Sequence, residues 1–191
     1  MSEQLSGVEK RLLIDIAKDA ISCAVTGEMQ PEVDLRTLPP RLREHGASFV
    51  TLTDSDGELR GCIGTVEAYT PLAHDVQRNA VGSALRDPRF FPVRPQELPG
   101  LQIELSILTK PQPLVYDGPD DLLAKIRPGI DGIILEKGFR RATLLPSVWT
   151  KIPDPVKFLS ALCLKAGLPE GEWRRGEVTI HVYQAEKVTD D

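Results

Sequence analysis

Apolar residues near the start of the chain recur at helical spacing. Leu12, Leu13, Ile16, Ala17, Ala20, Ile21 and Ala24 mark one face of a helix. Ser6 and Glu9 ahead of them have the spacing of a capping box, and Gly27 supplies the stop. Pro31, Pro39, Pro40 and Gly46 then break the pattern, so residues 28–46 read as a long loop, either an exposed arm or a cover for another surface. Strand-type alternation follows over Phe49 to Thr53. Asp54-Ser55-Asp56-Gly57 is a turn and Leu59 begins the return strand, which together predict a hairpin. Thr70 and Pro71 predict the cap and first position of a second helix, with Leu72, Ala73, Val76, Ala80, Ala84 and Leu85 inside. Leu101 to Leu108 alternates again. Leu101, Ile103, Leu105 and Ile107 share one side, and Gln102, Glu104 and Ser106 the other.

The second half repeats the mixture. Pro111 to Pro119 is a connector, and Asp120 to Ile126 a short helix. Residues 129–135 and 139–145 predict a hairpin around Lys137-Gly138, and Leu145 to Trp149 a corner. Asp154-Pro155 opens a helix that turns Phe158, Leu159, Leu162 and Cys163 inward and ends at Gly167. Val178 to Val182 is a closing strand with Thr179, His181 and Tyr183 on its more polar face.

Composition narrows the class. The chain has 191 residues, 41% hydrophobic and 27% charged, which fits one globular domain, or one with a small lobe. A net charge of -5 argues against a nucleic-acid binder. Arg140-Arg141 and Arg174-Arg175 stand among acids without interleaved aromatics, as solvated surface does. The polar start Met-Ser-Glu-Gln-Leu lacks the pattern of a signal peptide, and no run approaches the roughly 18 apolar residues of a membrane span. Three widely spaced cysteines make no disulfide framework, so a cytoplasmic location is expected. C-x-x-C, H-x-x-x-H, G-x-G-x-x-G and Walker spacings are missing, so neither a metal nor a cofactor is expected.

Leu59-Arg60-Gly61-Cys62-Ile63-Gly64 is the candidate site. Alternation places Arg60, Cys62 and Gly64 on one face and Leu59, Gly61 and Ile63 on the other. A guanidinium two residues from a thiol favours the thiolate. Glycines in a strand mark a bulge or a close approach of a backbone or a ligand. Two readings stay open: a reactive Cys62 with room above it, or a buried Cys62 acting as a small apolar filler. Glu104 could orient Arg60 or act as a base if its strand neighbours this one. Asp87-Pro88-Arg89-Phe90-Phe91-Pro92 is a turn in which Arg89 either pairs with Asp87 or offers its planar fork to an anion. His74 is a possible base for Cys62, although nothing else marks it, and His181 reads as structural.

These residues carry a likeness. The chain resembles the AMME-syndrome candidate family, whose bacterial and archaeal members are called AmmeMemoRadiSam system protein A. Residues 59–64 match its hallmark signature and Asp87-Pro88-Arg89-Phe90 a second one. Ile103-Glu104 with Ser106, Leu145-Pro146 with Trp149, and Lys165 to Leu168 match further patterns. The resemblance implies one α+β domain over residues 1–191, with an antiparallel sheet, flanking helices, a larger and a smaller lobe, and a cleft near the cysteine signature. The smaller lobe is expected at about residues 112–150. The family's naming also implies two partners, a Memo-like protein and a radical S-adenosylmethionine enzyme. Two functions follow as expectations. In one, Cys62, Arg60 and Glu104 serve a thiol-dependent enzyme component. In the other, the signature is structural, and Gly61, Gly64, Asp87 and Arg89 shape a non-catalytic adaptor or a site for an anionic small molecule.

Overall fold

In the computed structural model, which describes residues 4–190, the elements run α1 (Gly7–Thr26), α2 (Pro40–Arg43), β1 (His45–Thr53), β2 (Leu59–Gly64), β3 (Thr70–Pro71), α3 (Leu72–Leu85) and β4 (Gln102–Leu108). There follow β5 (Gln112–Pro113), α4 (Gly118–Lys125), β6 (Gly132–Lys137), β7 (Arg140–Leu144), α5 (Pro155–Lys165), β8 (Thr179–Tyr183) and β9 (Ala185–Thr189). The architecture is α+β, as expected. Two compact units share the chain. One runs to Thr109 and resumes at Glu186, and the other is Lys110–Ala185.

The first unit is a sheet of order β2-β1-β4-β9, with β3 paired to the start of β1. β1 is antiparallel to both β2 and β4. Leu13, Ile14, Ala17 and Ile21 of α1 join Val76 and Ala80 of α3 over Val50, Leu52 and Leu105 of the sheet. Burying each large aliphatic side chain contributes about 1.5–3 kcal/mol, so this core needs no staple, and all three cysteines are free. The capping box forms as expected: Ser6 Oγ accepts the Glu9 N–H, and the Glu9 carboxylate accepts the Ser6 N–H at 2.8 Å. Residues 28–46 are not one long loop, because Pro40–Arg43 form α2 and β1 already begins at His45; the stretch around residues 30–31 covers the helices. Gln30 donates to Ala20 O of α1, and Gln77 of α3 donates to Pro31 O.

Two further local expectations change. Thr70 does not cap α3, because residues 70–71 are drawn into pairing with His45 and Gly46; Pro71 takes the N-cap position instead. β9 was absent from the hydrophobic pattern because, along it, only Val188 is buried; pairing with β4 positions it.

α3 meets the sheet through a polar seam as well as an apolar stripe. Asp75, Asn79 and Ser83 recur every fourth residue and are buried. Asp75 accepts the Ser48 N–H and hydroxyl, both at 2.8 Å, the Thr65 hydroxyl at 2.8 Å, and donors from Asn79 and Arg78. Burial pushes its carboxyl above the usual range against the pull of these donors. The Ser83 hydroxyl accepts the Ile63 N–H at 3.0 Å and lies 2.7 Å from Val50 O, bridging residues that face each other across β1 and β2. Buried polar groups need such partners, and here the partners fix where α3 lies on the strands.

The second unit has a sheet of order β5-β8-β6-β7. It is longer than the expected lobe at 112–150, because α5 and β8 are part of its core. Phe158, Leu159, Leu162 and Cys163 pack with Ile133, Leu135 and Ile180. Trp149 stacks on Phe158 at 3.7 Å between ring centroids, and its indole N–H donates to Asp131 O at 2.7 Å. On β8, desolvation pushes the buried Tyr183 phenol up to about 12.

Candidate functional site

β2 is the edge of its sheet, and an edge exposes unpaired N–H and C=O groups. Here side chains occupy them. The Cys62 N–H donates to Asp87 Oδ2 at 2.8 Å, and Arg89 Nη2 donates to Cys62 O at 3.2 Å. Asp87 and Arg89 thus take the place of a further strand. They are locked together as a fork: Arg89 Nε to Asp87 Oδ1 is 2.9 Å and Nη2 to Oδ2 is 2.6 Å. Arg89 holds the nearly buried Asp87 carboxyl well below the usual carboxylate range. The local-pair and presented-fork readings of this turn therefore describe one arrangement, since the pair leaves Arg89 half exposed.

The glycines follow from close approach. A Cβ on Gly61 would lie 2.2 Å from the Ser83 carbonyl oxygen of α3, and one on Gly64 would lie 2.2 Å from the Phe49 ring. Gly61 therefore sets the distance between helix and strand, while Gly64 makes room for an aromatic ring.

Strict alternation fails at Arg60. Gly61 pairs with Leu52 but Leu59 pairs with Thr53, a register shift that leaves Arg60 opposite no partner. Its guanidinium forks onto Glu97, Nε to Oε1 at 2.7 Å and Nη2 to Oε2 at 3.2 Å, and also donates to Phe91 O and Pro92 O. None of its hydrogen bonds reaches Cys62. Arg60 in turn lowers the Glu97 pKa, helped by the Arg94 backbone N–H.

The Cys62 thiol has other neighbours. Cys62 lies in register with Thr51, whose hydroxyl is 3.3 Å from Sγ, and Thr51 lies in register with Glu104 on β4. β1 thus separates Glu104 from the cysteine strand, and two strand spacings amount to about 10 Å. Glu104 is paired with Lys187 at 2.6 Å and does not orient Arg60. His74 directs Nε2 to Val33 O at 3.4 Å, and His181 stands on β8 opposite Ile134. Arg89 reaches the cysteine through its carbonyl, and Asp87 is the group that raises the Arg89 pKa most. Among the described residues, no group of three or more His, Cys, Asp or Glu is placed to hold a metal ion.

Beside the Arg60 end of β2 lies an open cleft of about 790 Å³. Arg60, Arg89 and Arg94 face it with Glu97 as its one carboxylate, and Phe90, Phe91 and Pro92 form its apolar wall. Cys62 and Glu104 do not line it. Arg94 and Glu97 were missed by the sequence reading. Only the Arg94-Pro95-Gln96-Glu97 spacing hints at their turn, and nothing local ties it to position 60. No helix among the described residues is long and apolar enough to cross a membrane.

Comparison with known proteins agrees along almost the whole chain. A protein of Thermofilum pendens is 40% identical over 96% of this chain and 90% of its own length. One of Methanothermobacter thermautotrophicus is 39% identical over 98% and 97%. The crystal structure of an uncharacterized protein from Pyrococcus horikoshii superposes with a TM-score of 0.85 at 35% identity, covering 96% of this chain and 92% of that one. The AMMECR1 family model matches residues 14–188, and the chain belongs to the AMMECR1 family.

Proposed function

We propose that this chain is a binding module whose cleft beside β2 takes a small anionic ligand. The observation that carries this reading is the convergence of three guanidinium groups on a cleft with one carboxylate. Arginine stays protonated at any physiological pH, and its planar fork suits carboxylate and phosphoryl groups. The cleft volume also lies within the usual range for small-molecule sites, about 300–1,000 Å³. In this reading the cysteine signature is a frame: Gly61 and Gly64 allow close packing, and the Cys62 backbone anchors Asp87 and Arg89 beside the cleft.

Calorimetric titration with inorganic phosphate and pyrophosphate tests it. Saturable binding to the wild type, weakened about tenfold or more in Arg94→Ala, is the expected result. Equal binding by both proteins, or no binding by either, counts against the reading.

A second reading rests on Arg89, which brings a cation to the cysteine strand by donating to the Cys62 carbonyl at 3.2 Å. Cys62 would then be the nucleophile of a thiol-dependent system that includes the Memo-like and radical S-adenosylmethionine partners. Selective alkylation of Cys62 at neutral pH, with Cys23 and Cys163 silent, would support it. Co-purification of the two partners with the wild type, but not with Arg89→Ala, would extend it.

A further inference from the structure

The three arginines of the cleft differ in what their guanidinium groups already do. Arg60 spends four of its five N–H donors: it forks onto Glu97 and holds the carbonyls of Phe91 and Pro92. Its side chain is only 16% exposed. Arg89 spends Nε and Nη2 on Asp87 and the Cys62 carbonyl, which leaves Nη1 unspent. The Arg94 guanidinium donates no hydrogen bond among the described residues, and Glu97, the nearby carboxylate, is already engaged by Arg60. Arg60 therefore holds the wall in place with one N–H left over, whereas Arg89 keeps its whole Nη1 group and Arg94 its whole fork to give a ligand.

The wall has a second unspent feature. Phe91 lines the cleft with its side chain 86% exposed, while Arg60 Nη1 fixes its backbone at 2.8 Å. Phe90 is different, being covered by the Arg89 guanidinium at 5.4 Å from its ring centroid. An aromatic ring in water on an anchored backbone, beside the remaining donors of Arg89 and Arg94, can take a flat ring by stacking while they take the charge.

Building on the anion-binding reading, we infer that the ligand joins an anionic group to a flat unsaturated ring. Arg89 and Arg94 hold the anion, Phe91 carries the ring, and Arg60 is a positioning residue.

The test compares phenyl phosphate with methyl phosphate by NMR titration of the full chain, followed at the guanidinium signals of Arg89 and Arg94. Both probes are expected to shift those signals, with phenyl phosphate binding about tenfold tighter, which is about 1.4 kcal/mol and of the size of one base stacked on an aromatic side chain. Phe91→Leu keeps the bulk of an exposed side chain and removes the ring. It is expected to abolish the preference, so that phenyl phosphate binds the variant no tighter than methyl phosphate does. Equal affinity of the two probes in the wild type overturns the ring inference and leaves the anion cleft standing. A preference that survives Phe91→Leu also overturns it. Failure of both probes to shift Arg89 and Arg94 overturns the cleft reading itself.

Discussion

Gly61→Ala tests the framework role of the cysteine signature most sharply. The added Cβ would fall 2.2 Å from the Ser83 carbonyl oxygen, far inside contact distance. The obstacle is backbone in the last turn of α3, so no side-chain rotation relieves it. α3 must move away from β2, and the Ser83 hydroxyl then loses its bridge to Ile63 N and Val50 O. Overpacking costs about 1–3 kcal/mol and each lost hydrogen bond about 1 kcal/mol, so a total near 3–5 kcal/mol is expected. That is a large share of the ~5–15 kcal/mol by which domains are stable. Urea unfolding should be followed by far-UV circular dichroism, because Trp149 and Trp173 both stand in the second unit and report on it alone. Gly7→Ala is the control, since its Cβ would meet nothing within 4 Å. Gly64→Ala should fall between the two, because the obstacle there is the half-buried Phe49 ring. A loss under about 1 kcal/mol for Gly61→Ala would refute the close-approach argument.

Three further outcomes follow from the same contacts. Asp87→Asn should cost about 1–3 kcal/mol at neutral pH, discounted for the exposed Arg89. The folded pKa of Asp87 is depressed below its ordinary 3.8, so its contribution is present above that value and lost as pH falls through the folded one. The gap between wild type and variant should accordingly narrow below about pH 4 in acid-unfolding curves, and a gap that widens would contradict the sign. Asp75→Asn should cost about 2–4 kcal/mol by urea unfolding, because an amide NH2 would face the Thr65 and Arg78 donors in place of Oδ1, or the Ser48 and Asn79 donors in place of Oδ2, and Arg78 would lose its charged partner. Cys62→Ser should change stability by no more than about 1 kcal/mol and leave phosphate binding by calorimetry intact, since the clamp on residue 62 is to its backbone.

What the sequence could show depended on how local the cause was. α1 was legible because its cap, stripe and stop lie within one segment. The β1–β2 hairpin was legible through Asp54 and Gly57, where Asp54 accepts the N–H of Asp56 and Glu58. The seam on α3 was visible only as polar spacing at Asp75, Asn79 and Ser83, which an apolar count passes over. Arg60 was misplaced because a register shift cannot be read from alternation, and its partner Glu97 lies 37 positions away. Glu104 was assigned to the correct strand face, but which strand lies between it and Cys62 is a matter of topology. The turn at Asp87 to Pro92 was legible as a turn, whereas its grip on Cys62 required the fold.

A crystal structure of the full chain with phenyl phosphate tests the central claim most directly. The account predicts phosphate oxygens within about 3 Å of the Arg89 and Arg94 guanidinium groups, the phenyl ring against Phe91, and Arg60 still forked onto Glu97. Phosphate seated beside the Cys62 thiol and Thr51, with the cleft empty, would contradict it and return the site to the cysteine.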